Sequence, residues 1–298
     1  MRTPKRLALM PILLLLGVTG CSSPVTTGEA AQTPASTPVV KVNEKAAALV
    51  PAAVKSKGTL VFAMDASYAP FEFFDTDNTT ITGFDANFSD AVAAAMGLKS
   101  QKVNTNFAAI LPGLQAGKYD IGNSNFTITP EREKTVDFVP FMKSGSGLGV
   151  KKGNPENLSM DFASLCGHHV AAQTGTVQAL TDLPELTAKC VSAGKPAIDV
   201  QLFATQNDAN LALSSGRVDA LMADSVGVAY QGEQSNGAFE LVSGPLYKPS
   251  ELGIALPKGS PLIPAVTEAV NGLIKDGTYA AIAKTWKLPV ETLMTPGA

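Results

Sequence analysis

The sequence is short of charge. Only 16% of its 298 residues are Asp, Glu, Lys or Arg, and the formal net charge is −3. A nucleic-acid-binding chain would want a strong basic excess, and there is none. The dense basic cluster is Arg2, Lys5 and Arg6, at the N-terminus. The apolar run from Leu7 to Val18 is broken by Pro11 and Gly17. It falls short of the roughly 20 residues that span a bilayer. Cysteines number three, histidines two, and neither Cys-x-x-Cys nor His-x-x-x-His occurs. His168 and His169 are adjacent, and neighbours on a strand point to opposite faces. No metal site and no resident cofactor is therefore expected. What is plentiful is apolar residue, at 45%, enough for one large domain or two modest ones.

The basic cluster, the short apolar run and the small residues after it make a secretory signal over residues 1–20. The run ends Val18-Thr19-Gly20-Cys21, which resembles the bacterial lipobox, in which the cysteine is lipidated. An ordinary signal peptide with an unrelated cysteine is the alternative. Acyl chains on Cys21 would hold the protein to the outer face of the cell membrane, at about 0.8 kcal/mol per buried methylene. The lipid anchor is then the sole membrane contact. Ser22 to about Val50 is rich in Pro, Thr, Ala and Ser. It reads as part of a flexible tether over residues 21–57. Outside the cytoplasm, Cys166 and Cys190 are an even pair in an oxidising compartment. They predict a disulfide closing a loop of about 25 residues, for which chain entropy gives roughly 3 kcal/mol. Two buried thiols are the other possibility.

The globular body is expected from about Gly58. Thr59–Ala63 reads as a strand, followed by an Asp65–Pro70 loop. A helix opens at Gly83-Phe84-Asp85, with Phe88, Val92 and Met96 on one face. A short strand at Lys102–Asn104 precedes a helix carrying Ile110, Leu111 and Leu114. Pro112 is best tolerated in a first turn, which places that helix's start near Ala108. Tyr119–Gly122 is the next strand. The pattern then repeats: strand His169–Ala172, helix Val177–Leu183, strand Ile198–Phe203, helix Asp208–Ser215 burying Leu211 and Leu213, strand Val218–Ala223. Two successive α/β units with mostly parallel sheets follow from this order. Gly147–Val150 and Leu252–Leu256 read as crossings between them. Two C-terminal helices carry Val266, Val270 and Leu273, then Tyr279, Ile282, Ala283 and the lone Trp286, a core stripe.

Four segments carry side chains suited to binding, each with an ordinary structural explanation beside it. Asp65-Ala-Ser-Tyr68-Ala-Pro70-Phe71-Glu72 follows a strand end, where ligands of α/β sheets bind; it also suits an aromatic plug of the core. Asn123–Glu133 offers Ser124, Asn125, Thr127 and the planar fork of Arg132, matched to a carboxylate. Its Glu131, Glu133 and Lys134 suit a solvated turn. Gln173-Thr-Gly175-Thr176-Val177-Gln178 runs from strand to helix, with free N–H groups at the helix start. Asp224 ends a buried strand, where it suits either an ammonium group or the cap of a helix starting at Ser225.

Together these segments resemble the solute-binding proteins of the amino-acid (family 3) ABC importers, from about Gly58 to Leu288. The resemblance is carried by Tyr68-Ala-Pro-Phe-Glu72, Gly83-Phe-Asp85, Ile110-Leu-Pro-Gly-Leu114, Thr127-Ile-Thr-Pro-Glu-Arg132, Asp137-Phe138, Gly175-Thr176, Gly216-Arg-Val-Asp-Ala220 with Asp224, and Asp276-Gly-Thr-Tyr279. It implies a two-lobed periplasmic-binding-protein-like fold of type II. Lobe 1 would be residues 58–144 plus 253–298, lobe 2 residues 145–252, joined by a two-strand hinge. It implies a free amino acid as ligand, ABC importer permease subunits as partners, a monomer, and no nucleic acid. Arg132 would hold the α-carboxylate, with backbone N–H groups at Thr127 and near Thr176. Asp224 would hold the α-ammonium, and Asn125 and Thr127 would add further bonds. Tyr68 and Phe107 would face the side chain, with Asp65 nearby, where it suits a cation. Relatives often carry a hydroxyl or Gly where this chain has Val177, which leaves a backbone contact but no side-chain one. A cyclohexadienyl dehydratase-like lyase on the same fold, with Glu72 as its acid, and a partner of a membrane sensor are the rival readings.

Overall fold

The protein is described by a computed structural model over residues 39–295. The signal segment, the Cys21 lipidation site and the first half of the expected tether lie outside the described residues. The strands, in chain order, are β1 (Thr59–Met64), β2 (Ser67–Tyr68), β3 (Glu72–Phe74), β4 (Ile81–Thr82), β5 (Lys99–Asn104), β6 (Ile121–Thr127), β7 (Val136–Lys151), β8 (His169–Gln173), β9 (Asp199–Phe203), β10 (Ala220–Asp224), β11 (Phe239–Leu241) and β12 (Tyr247–Pro257).

The main sheet runs β5-β1-β6-β12-β7-β10-β8-β9, with β11 paired to β7. Its ends are parallel trios, β5-β1-β6 and β10-β8-β9. Helices connect the strands within each trio, as parallel pairing demands. Between the trios lie β7 and β12, antiparallel to each other from Val136–Pro257 to Ser146–Tyr247. These long strands belong to both halves. The chain therefore crosses near residues 142–147 and 247–252. The expected crossing at Gly147–Val150 is shifted: those residues already pair with β10 inside the second lobe. Each lobe has its own core. In the first, the helix Phe84–Ala95 buries Phe84, Phe88 and Val92 against Phe141 and Tyr279. The ring centroids of Phe88 lie 5.4 Å from Phe141 and 5.3 Å from Tyr279. The Tyr279 hydroxyl donates to the Phe141 carbonyl at 2.6 Å. In the second, Leu148, Val170, Leu183, Leu186 and Met222 pack together.

Gly83 explains its own place ahead of the first helix. At φ +120°, a Cβ there would sit 2.2 Å from the Phe71 carbonyl oxygen. That contact lets the Phe84 and Asp85 amides donate back to Pro70 and Phe71.

Four expectations change. The tether ends earlier than residue 57: Glu44–Leu49 and Ala52–Lys57 are helices, and Ala46 and Val50 are buried in the first lobe's core. Asn43 caps the first of them, accepting from the amides of Lys45 and Ala46, a cap that composition hid. The helix Phe107–Gln115 carries Pro112 in its second turn, leaving the carbonyl of solvent-exposed Ala108 without its usual partner. After Val177 comes a π-helical turn, Gln178–Asp182, continuing as an α-helix to Ser192. Leu211 is 66% exposed, because the buried stripe of its helix is Ala209, Ala212 and Leu213.

Cys166 and Cys190 form the expected disulfide, tying a short helix, Phe162–Leu165, to the helix Leu183–Ser192 beside the second core. Replacing both cysteines with Ala should lower unfolding stability by about 3 kcal/mol. Urea titrations of parent and variant under non-reducing conditions measure this. Equal midpoints would show that the cross-link constrains nothing.

Candidate functional site

The site lies where strand ends of both lobes face each other. β1, β6, β8 and β10 all deliver polar residues at their carboxyl ends, the position that α/β sheets favour for ligands. From the first lobe come Tyr68, Phe107, Asn125, Thr127 and Arg132. From the second come Thr176, Val177 and Asp224. These eight line one narrow cavity, and Ser124 and Gln178 complete it.

Arg132 is placed by a one-turn helix, Pro130–Glu133, whose cap Thr129 accepts from the Arg132 amide. Its side chain is 9% exposed. The guanidinium carbon lies 5.5 Å from the Phe107 ring centre and 5.4 Å from that of Phe126. Those rings stack with centroids 4.7 Å apart. A guanidinium beside two aromatic rings gains cation–π attraction that partly offsets its lost hydration. Burial lowers its pKa to about 10, so it stays a cation at neutral pH. One Nη donates to the Thr127 carbonyl at 2.7 Å, the other to Gly175 of the opposite lobe at 3.0 Å. Gly175 has φ +87°, and a Cβ there would lie 2.8 Å from the Cβ of Ala108. Only glycine brings that carbonyl so near the first lobe.

Asp224 takes the capping role that its sequence position suggested. It caps the helix Ser225–Gln234, accepting from the amides of Val226 at 3.0 Å and Gly227 at 3.4 Å. Its carboxylate also lines the cavity. Burial pushes its pKa up to about 6, against the lowering effect of Ser144, the capping amides and Asn125. Its backbone N–H donates to the Tyr68 hydroxyl at 3.0 Å. Asn125 sits in the left-handed region at φ +49°. Its Oδ1 is buried with no protein partner, and the residue lines the cavity.

Asp65 is not brought into the cavity. Its carboxylate takes donors from Ser67 Oγ at 2.7 Å, the Phe107 amide at 3.0 Å and Gln173 Nε2 at 2.6 Å. Gln173 belongs to the second lobe, so Asp65 fastens the lobes together. The same work is done by the Gln206 amide on Ser67 and by Gln231 on the Ala69 carbonyl. Glu72 is also absent from the cavity. It is fully buried beneath β6, receiving the Ser124 hydroxyl and facing Asp85. Among the described residues no His, Cys, Asp and Glu cluster is arranged to hold a metal ion, and no helix is long and apolar enough to cross a membrane.

Two α/β lobes, joined by two continuous strands and facing each other across a charged cleft, define a periplasmic-binding-protein-like fold of type II. Comparison with known proteins agrees. The model of the bacterial extracellular solute-binding proteins, family 3, matches residues 60–289. The arginine-binding protein ArgT of Corynebacterium glutamicum is 36% identical over 239 residues, covering 80% of this chain and 77% of that one. An ancestral arginine-binding protein bound to arginine superposes with a TM-score of 0.69 at 32% identity, covering 77% of this chain and 98% of the other. An ancestral amino-acid-binding protein, a precursor of cyclohexadienyl dehydratase, superposes with a TM-score of 0.70 at 34% identity, covering 78% and 97%. The chain belongs to the family 3 bacterial extracellular solute-binding proteins.

The buried acid pair under the site has a measurable signature. Burial raises the pKa of Asp85 to about 7, and burial together with the Asp85 charge raises that of Glu72 well above the usual range. Glu72 Oε2 and Asp85 Oδ1 are buried without a hydrogen-bond partner, an arrangement that favours the protonated form of the pair. Folded protein holds protons that the unfolded chain releases near pH 4, so stability should fall as pH rises from about 4 to about 7. Asp85→Asn should flatten part of that fall in urea titrations across this window. An unchanged slope would mean the pair is not protonated.

Proposed function

We infer that this protein captures a free α-amino acid between its lobes, outside the cytoplasm, and hands it to an ABC importer. The observation that carries this reading is the placement of Arg132 and Asp224, one from each lobe, on a single cavity. An α-carboxylate matches the fork of Arg132, displacing the Gly175 carbonyl as its acceptor. The first N–H groups of the turn after Thr176 add to it. An α-ammonium matches Asp224 and the partnerless Oδ1 of Asn125. Because the zwitterion needs groups from both lobes, its binding favours the lobes in contact, and the importer reads that state. The names of the relatives support an amino-acid cargo. Lipidation at Cys21 fits the sequence and keeps the binder beside its permease. Tyr68 and Phe107 wall the cavity on the first lobe's side, and Asp65 stands behind them, bonded to the Phe107 amide and to Gln173. The lyase reading named Glu72 as its acid, and Glu72 lines neither this cavity nor the one beside it, so binding without turnover is preferred.

Protein unfolded and refolded to strip carried-over amino acid can be titrated calorimetrically with a panel of amino acids. Arg132→Ala and Asp224→Asn should each weaken binding by at least about 30-fold, the cost of unpairing a buried charge. Affinity should fall as pH is lowered through about 6, where Asp224 takes up its proton. Unaltered affinity in both variants would remove the clamp. Cys21→Ser should move the protein from the membrane fraction to the soluble one; retention would point to another anchor.

A further inference from the structure

The end of β6 is irregular where it meets the cavity. Gly122 pairs with Ala255 of β12 and Phe126 with Gly253, so Asn123, Ser124 and Asn125 stand opposite Ile254 alone. Such a bulge re-aims side chains and takes backbone groups out of the ladder. Asn125 bears its mark, a left-handed φ of +49° inside a strand. Asparagine tolerates that region better than most residues, yet it persists only where its surroundings enforce it. Ser124 and Asn125 are both wall residues of the cavity, so the bulge lies directly under the ligand site.

What enforces it is the buried acid pair. The Ser124 hydroxyl donates to Glu72 Oε1 and accepts from the Asp65 amide at 3.1 Å. The Asn125 amide donates to Asp85 Oδ2 at 2.8 Å. Two successive wall residues are therefore each held by one carboxylate, and both carboxylates are fully buried. Asp85 is set in the first turn of the helix Phe84–Ala95, with its own amide donating to the Phe71 carbonyl at 2.7 Å. Asn123 ties that helix to β6, donating to the Asp85 carbonyl and to Ser89 Oγ, both at 3.1 Å. Burying two acids side by side is costly, and apolar residues would pack a helix on a strand without that cost. What an apolar residue lacks is an acceptor for a backbone amide that the ladder has released.

We propose that Asp85 is a positioning residue for amino-acid recognition: by holding the Asn125 amide it keeps the bulge left-handed and keeps the Asn125 side chain in the cavity wall. Glu72 serves Ser124 in the same way, through the hydroxyl, and braces Asp85 from the other side. The inference rests on the reading that an α-amino acid binds in this cavity. Without the Asp85 acceptor, the Asn125 amide turns toward another partner, φ leaves the positive region, and Oδ1 of Asn125, buried and without a protein partner, moves out of place. Neither acid touches the ligand; both act through the two residues above them.

The probes are the common L-amino acids, tried singly by calorimetry on refolded parent protein, and the tightest binder is carried through the variants. Asp85→Ala should weaken it about tenfold, the scale set by one strained backbone site released. Asp85→Asn keeps an oxygen acceptor for the Asn125 amide and should bind within about twofold of the parent. Asn125→Gly removes the side chain that Asp85 aims, so adding Asp85→Ala to it should change affinity by less than about twofold. If Asp85→Ala does not fold, Asp85→Ser, whose hydroxyl is too short to hold that amide, takes its place with the same expectations. Parent-like binding in Asp85→Ala would overturn the proposal. So would an equal loss with and without the Asn125 side chain, which would show a general loosening of the lobe, and so would weak binding in Asp85→Asn. Arg132→Ala separates the two levels. If it abolishes binding while Asp85→Ala leaves binding intact, the clamp stands and the positioning role falls. A parent that binds no amino acid removes both.

Discussion

A buried arginine organises this molecule. Arg132 keeps its charge at 9% exposure because two phenylalanine rings lie against its guanidinium and backbone carbonyls accept its hydrogen bonds. Each support constrains a different part of the chain. Phe107 and Phe126 must stack, which fixes the start of a helix relative to the end of β6. Thr129 must cap the turn that carries the arginine. Gly175 must lack a side chain so that its carbonyl can cross from the other lobe. The expense of desolvating a cation is what ties these local choices together, since losing any one would leave the charge exposed to an apolar wall.

Beneath this polar layer, two apolar cores stand apart. Phe84, Phe88, Phe141 and Tyr279 close one lobe, while Leu148, Leu183 and Leu186 close the other. The contacts described between the lobes at the cleft are mainly hydrogen bonds, from Gln173, Gln206, Gln231 and the Asp224 amide. Such bonds exchange for water at a net cost of about 0.5–1.5 kcal/mol each. Separating the lobes therefore takes Val226 of the helix Ser225–Gln234 from the edge of the first core and leaves the rest of both cores in place. The molecule combines stable halves with a seam of modest strength, the combination needed for a cleft that opens.

Much of this was legible in the sequence, for identifiable reasons. Strand-and-helix alternation showed two α/β units because apolar periodicity is a local property. The carboxyl ends of strands carried short polar runs, and Arg132, Asn125, Thr127 and Asp224 do meet there. Trp286 packs edge-on to Phe73, as its apolar stripe suggested. What stayed hidden was non-local or fine-grained. Asp65 looked available until its partners appeared, one of them 108 residues away. The helix from Glu44 was masked by its short length and Ala-rich composition. Leu211 faces solvent because its helix turns its alanines inward, a rotation that a short stripe cannot fix. Ser124 and Gln178 stood inside segments already singled out, and only their neighbours' backbone shape made them wall residues.

One topological feature has mechanical meaning. The helix after Asn43 packs on the first lobe, and Leu293 bridges to Met142 of β7 near the other end of the described chain. Both ends of the described chain are thus moored to the same half. The second lobe is an insertion, entered through β7 and left through β12. Among the described residues, those two strands are its covalent connections to the first lobe. A load on either end of the described chain falls on the first lobe, and reaches the second through those two strands and the hydrogen bonds across the cleft.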